Sequence, residues 1–169
     1  MPSGCSCSMA FTQHNLFPID YPTMKTFSND IFFAQVESEI SAGRSVRFKV
    51  KGFSMYPLLR NDKDEVTLSP LERDPAVMDI VLFRYKGKHI LHRITSISGD
   101  TYTIQGDGIY LSEETCHRND IIGIVTKIHK KGKMPIGTTS KWALFYIFCW
   151  QRLRFCRRYL LALLKRIYK

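Results

Sequence analysis

Three short stretches of the chain carry side chains that could do covalent chemistry. The first is Gly52-Phe53-Ser54-Met55-Tyr56-Pro57, where a serine sits between a glycine and a proline-stopped turn. A serine held at a strand end, with backbone N–H groups beside it, suits a nucleophile, because a developing oxyanion needs donors already in place. The second is His92 in Lys88-His89-Ile90-Leu91-His92-Arg93. On a strand, His92 shares a face with Ile90 while Leu91 and Arg93 take the other. An imidazole, with its ordinary pKa of ~6.5, is the side chain best matched to general-base work near neutrality. The third is Gly106-Asp107-Gly108, a carboxylate in a tight turn. From spacing alone each has a plainer reading: a turn serine bonding its own backbone, a satisfied half-buried histidine, and a turn aspartate capping nearby N–H groups.

The elements around them read mostly as strands. Val46, Phe48 and Val50 alternate with Arg47, Lys49 and Lys51, giving one buried and one wet face. Further strands are expected at 65–68, 79–85, 89–97, 102–105 and 121–129. Turn signals separate them: Asn61-Asp62, Lys86-Gly87, Gly99-Asp100 and Gly106-Asp107-Gly108. Six short strands without intervening helices predict an antiparallel, mostly β core, coiled or barrel-like. Before them, Ser28 can cap a helix with the apolar face Phe32, Phe33, Val36 and Ile40, ended by Gly43. Residues 1–27 show no periodicity and read as a flexible lead-in, 28–129 as the β domain, 130–140 as a linker, and 141–169 as a basic amphipathic helix.

Composition bounds the function. The chain has 169 residues, 44% of them hydrophobic and 24% charged, ordinary values for one globular domain with an appendage. Its five cysteines are odd in number and scattered, which excludes a disulfide-stapled miniprotein. Cys5-Ser6-Cys7 has no second pair at zinc spacing, so neither a metal nor a cofactor is expected. The net charge of +10 is uneven. Eleven of the 25 Lys and Arg lie in residues 129–169, where no Asp or Glu occurs, and the other 14 stand against all 15 acids. Nucleic acid is therefore not an expected partner of the body, and an anionic surface is the expected partner of the tail.

The order GFSMYP, DIVLFRY, ILHRI, IQGDG, IIGIV resembles the signal peptidase I family of serine endopeptidases. It is most similar to the variant with a histidine base, found in the endoplasmic reticulum and in some bacterial enzymes. The resemblance covers residues 46–128, and the G-x-S-M-x-P block is its most specific part. It implies a hydrolase that removes signal or leader peptides, with Ser54 as nucleophile, His92 as general base and Asp107 supporting that base. It further implies that the Ser54 N–H helps hold the oxyanion, with a second donor from the chain near Gly52, where some relatives supply a serine hydroxyl. Met55, Phe48 and Val50 would line an apolar groove for an extended peptide or preprotein added to the sheet edge. The chain departs from the pattern in lacking the second aspartate that often follows the Gly-Asp turn; Glu113, Glu114 and Asp120 are the nearest carboxylates.

Family members usually carry an N-terminal membrane anchor, and residues 1–15 hold no Lys or Arg and no useful apolar run. Residues 142–164 are apolar but carry Arg152, Arg154, Arg157 and Arg158 near their middle. At about 2.5–3.5 kcal/mol per central arginine, that stretch reads as non-spanning. It reads instead as a helix lying in a membrane surface, with Leu153, Cys156, Leu160, Leu163, Leu164 and Ile167 on one face. Trp142, Phe145, Phe148 and Trp150 would sit at headgroup depth, and the four arginines against anionic lipid. The expected location is peripheral, on the cytoplasmic face, without secretion. Two rivals stand. Self-cleaving repressor peptidases of the LexA type share the fold, and Ala42-Gly43 offers a scissile pair, but they use a lysine base, and only 11 residues separate Gly43 from Ser54. A catalytically silent membrane-bound module of the same fold is the other.

Overall fold

A computed structural model describes residues 29–109, 112–138, 140, 145 and 149. Helix α1 (Asn29–Ser41) leads into strands β1 (Val46–Lys49), β2 (Glu65–Ser69), β3 (Ile80–Tyr85), β4 (Lys88–Ser98), β5 (Thr101–Gln105), β6 (Glu114–His117), β7 (Ile121–His129) and β8 (Ile136–Gly137). All eight pair antiparallel in one unclosed sheet of order β1-β2-β7-β3-β4-β5-β6, with β8 beside β7. The six expected strands are present with nearly the expected limits. Two more appear, β6 and the two-residue β8, the latter inside the stretch read as a linker.

Local chemistry explains the connections. α1 buries Val36 and Ile40 and rests Phe32 and Phe33 on the core. It ends as glycine helix ends do: Gly43, at φ 77°, donates to the Ile40 carbonyl and Arg44 to that of Glu39. Lys86 (φ 49°) and Gly87 (φ 74°) make the tight β3–β4 turn, where two successive left-handed residues match the strand twist. Glu37 ties α1 to that hairpin. Its carboxylate takes Arg84 Nε at 2.8 Å and His89 Nε2 at 2.7 Å, and the Phe33 ring stacks on His89 at 4.6 Å. The Arg84 hydrogen bonds, helped by His89, hold the Glu37 carboxyl down at about 2 against its partial desolvation.

Two apolar clusters fill the interior. One lies under α1 (Val36, Leu59, Val66, Leu68, Ile80, Leu82), the other under β4–β6 (Val81, Phe83, Ile94, Ile104). Each fully buried Leu, Ile or Phe contributes about 1.5–3 kcal/mol, so the β3 run Ile80–Phe83, buried on both faces, anchors the sheet. No helix among the described residues is long and apolar enough to cross a membrane. Phe145 and Cys149 are helical. The lead-in, the Ser28 cap and the rest of the C-terminal assignment, including Trp142, Phe148, Trp150, Arg152, Arg154, Arg157 and Arg158, lie outside the described residues.

Candidate active site

Ser54 lies in the long β1–β2 connection, residues 50–64, which is closed at its base. Val50 N–H donates to the Asp64 carbonyl and Asp62 N–H to that of Val50, both at 3.0 Å. Asp64 is wholly buried and takes the Arg60 N–H at 2.9 Å and Arg60 Nη2 at 2.7 Å. Burial opposes its ionisation, but the Arg60 side-chain and backbone hydrogen bonds prevail and leave its pKa below the usual carboxylate value. Inside this closed connection Met55, Leu58 and Leu59 plug the core. Phe53 stays 58% exposed beside a half-buried Ser54.

The other groups come from a three-strand meander. β4 carries His92 and Arg93, β5 runs into the Gly106-Asp107-Gly108 turn, and β6 opens with Glu114, paired across from Ile104. His92 is 3% exposed, and its Nδ1 lies 3.1 Å from Glu114 Oε2. A carboxylate on Nδ1 fixes the proton there and leaves the Nε2 lone pair free to accept one. Desolvation dominates the titration of His92 and holds its pKa below the ordinary value, while the Glu114 and Asp107 charges oppose that fall. The ring is therefore neutral at pH 7, the state a general base requires.

The glycine turn brings the serine and the histidine together. Gly108 N–H donates to the Ser54 carbonyl at 2.7 Å. A Cβ on Gly106 would collide with that same carbonyl oxygen and stand 2.9 Å from His92 Nε2, so backbone and imidazole meet where only a glycine fits. A Cβ on Gly108 would collide with the Phe53 carbonyl. Asp107 clamps the turn: its carboxylate takes Arg93 Nε at 2.9 Å and Nη2 at 2.7 Å, with both residues buried. Arg93 Nη1 also donates to the Met78 carbonyl. A buried pair of this kind earns little net stability, but removing either partner costs about 3–5 kcal/mol, so it fixes a conformation.

The structure brings the Ser54 backbone and the His92 imidazole to the glycine turn that holds Asp107, with pairings other than those the resemblance implies. Glu114, not Asp107, holds His92, and Asp107 acts on the turn through Arg93. Gly52 (φ 99°) does not offer its N–H to the site, because that group donates to Asn61 Oδ1 at 2.8 Å. The Ser54 N–H makes no hydrogen bond to another described residue, nor does Ser54 Oγ. Met55 (2% exposed) and Val50 (7%) sit in the core, and Phe48 joins Phe32 and Phe33 in an edge-to-face cluster. None of the three walls an open groove, because α1 and the connection fold over them. Glu114, Arg93 and Asn61 carry roles that sequence spacing did not assign. No cluster of His, Cys, Asp or Glu fit to hold a metal occurs among the described residues. A cavity of about 400 Å³ lies elsewhere, between Ser69–Pro70, Glu72–Arg73, Ile124–Thr126 and Thr138.

Set beside known proteins, the chain matches no family model and no curated protein sequence.

Proposed function

We propose that this protein is a serine endopeptidase of the signal peptidase I type, with Ser54 as nucleophile, His92 as general base and Glu114 in the place of the usual aspartate. The observation that carries the reading is the convergence of the Ser54 backbone and the free Nε2 of a buried, neutral, carboxylate-held His92 on Gly106. In the proposed reaction Ser54 Oγ attacks the scissile carbonyl carbon as its proton passes to His92 Nε2. The Ser54 N–H receives the oxyanion. The C–N bond then breaks as His92 returns the proton to the leaving amine, and water, deprotonated by the same imidazole, hydrolyses the acyl-enzyme. Removing one oxyanion donor typically costs about 2.7–4 kcal/mol, so the fixing of the Gly52 peptide by Asn61 belongs to the machinery that aims the Ser54 N–H.

The finer fold assignment belongs with this reading: a coiled, barrel-like catalytic core, a peptide or preprotein substrate added at a sheet edge, and a C-terminal amphipathic helix holding the enzyme peripherally on an anionic, cytoplasmic membrane face. Contact of β6 back onto β3, past two intervening strands, supports the coiling. Self-cleavage at Ala42-Gly43 is disfavoured, since that peptide forms the hydrogen-bonded end of α1 rather than an extended substrate. The lack of a hydrogen bond on Ser54 Oγ favours the silent membrane module as second reading.

Cleavage of a leader-peptide library in lipid vesicles by the full chain separates them. Cutting after small residues, abolished in Ser54→Ala and His92→Ala, is the expected result. Cutting that survives either substitution overturns the assignment, and no cutting by the wild type leaves the silent module.

A further inference from the structure

The outward face of β1, β2 and β7 stands in ranks set by the strand register. Arg47, Thr67 and Lys127 form one rank; Lys49, Glu65 and His129 form the next. Beneath them Phe48, Val66 and Ile128 turn inward. The near-neutral charge of the body as a whole conceals how one-sided this face is. Around it the exposed Lys51 and Lys63 extend from the β1–β2 connection, and Lys131 and Lys133 from the turn after β7. Lys49, Lys51, Lys63, Lys127, Lys131 and Lys133 form no ion pair with any described residue.

The facing acids do not balance them. Glu65 is taken by Arg47 at 2.7 Å, Asp64 is buried on Arg60, and only Asp62 remains exposed. The field is felt by neighbours: after burial, Arg47 and Lys127 help hold the His129 pKa below its ordinary value, against Glu65. Lys130, partly buried, is pushed down by desolvation first and then by Arg60 and Lys133, against Asp64.

Cations alone would suit any polyanion. The apolar side chain just after the same turn narrows the choice: Met134, directly after Lys133, is 85% exposed, and Phe145 further on is 62% exposed. A thioether standing in water gains nothing against a phosphodiester backbone but is buried by acyl chains, and lysines ringing an apolar tip are the pattern of interfacial lipid binding. The acid-free 129–169 stretch cannot neutralise this face and carries the same sign toward the same kind of partner.

We infer that the β1–β2–β7 face, with the 130–134 segment as its inserting tip, is a docking surface for an anionic lipid bilayer, separate from the C-terminal helix assigned above. Docked so, the β1–β2 connection that carries Ser54 is presented at the membrane surface. The inference needs only the folded sheet and not the peptidase reading.

Full-length protein is sedimented with phosphatidylcholine vesicles, alone or with three parts in ten phosphatidylserine, at 0.1 M salt. Wild type and Ser54→Ala are expected to bind the anionic vesicles equally, which separates this surface from the catalytic assignment. A lysine near an anionic surface contributes about fivefold in affinity, so K49Q/K127Q/K131Q/K133Q is expected to lose nearly three orders of magnitude, with an unchanged circular dichroism spectrum. Met134→Asp is expected to weaken binding severalfold without touching a cation. Wild-type affinity in the quadruple variant, or in both variants, overturns the inference. So does tighter binding of wild type to a 30-base-pair duplex than to the vesicles, which would assign the face to nucleic acid.

Discussion

Replacing Gly106 with alanine tests the site with a single methyl group. Gly106 does not occupy the left-handed region, so alanine meets no backbone penalty there, and chain entropy alone would favour it by about 0.4–1 kcal/mol. The added Cβ collides with the Ser54 carbonyl oxygen and stands 2.9 Å from His92 Nε2. The first obstacle is main chain and cannot swing aside, so the 50–64 connection has to shift from the meander. Overpacking of that kind costs about 1–3 kcal/mol, for a net loss of about 1–2 kcal/mol and a melting point lower by roughly 2–8 °C. Because the methyl group wedges the proposed nucleophile from the proposed base, turnover should fall about 100-fold on that reading, the cost of a displacement near 1 Å. Gly137→Ala is the control, since a Cβ there meets nothing within 4 Å, and it should melt within about 0.5 kcal/mol of wild type. Thermal unfolding and peptide cleavage read both effects. A Gly106→Ala protein that melts with wild type and cleaves at its rate would refute the close approach.

Two further predictions address the base and its support. Glu114→Gln puts an amide on Nδ1 that can donate to it, reversing the tautomer, and should cut kcat by about 10³–10⁴. With the opposing Glu114 charge gone, desolvation pulls the His92 pKa lower still. The proposed reaction requires the neutral ring and is lost as pH falls through its pKa, so the acid limb of kcat/KM should move to lower pH while the plateau drops; an unmoved limb would separate Glu114 from His92. Met78 holds φ 83°, a conformation that costs a non-glycine residue about 1–2 kcal/mol, while its carbonyl receives Arg93. Met78→Gly keeps that bond and should raise the melting point by a few degrees, whereas a fall would mean that the packing of its side chain outweighs the strain.

Strands β1 to β5 and β7 were legible because short β-forming apolar runs, alternating in β1, β2 and β5 and continuous in β3, are bounded by turn residues. β6 was not, because Glu114-Thr115-Cys116-His117 buries only Cys116, and an edge strand with one inward residue leaves no periodic trace. That gap hid Glu114. Its role depends on pairing Glu114 with Ile104 across β5, which no spacing along the chain encodes. Arg93 was placed on the face opposite His92, but nothing in a lone arginine announces 1% exposure; its burial follows from an aspartate fourteen residues later. Val50 and Met55 illustrate the converse. Their apolar character was read as substrate surface, yet the closed 50–64 connection uses them as core. Ser54 and His92 were readable as types, and the glycine turn that joins them was readable as a turn, but the close approach that makes it indispensable is a tertiary fact.

The origin of the groups that meet at Gly106 bears on how the site assembles. His92, Arg93, Asp107 and Glu114 come from one contiguous meander whose partners are near neighbours in sequence, while Ser54 reaches them over some fifty residues through the Gly108–Ser54 hydrogen bond and the glycine contacts. Contacts across short loops form first, because they close with less entropy, and long-range docking follows. A chain still emerging from the ribosome, or one whose connection has locally opened, therefore has the His92–Glu114 pair built and Ser54 not yet beside it. Under the peptidase reading proposed above, hydrolytic competence coincides with completion of the fold, which spares partly folded copies from cutting one another.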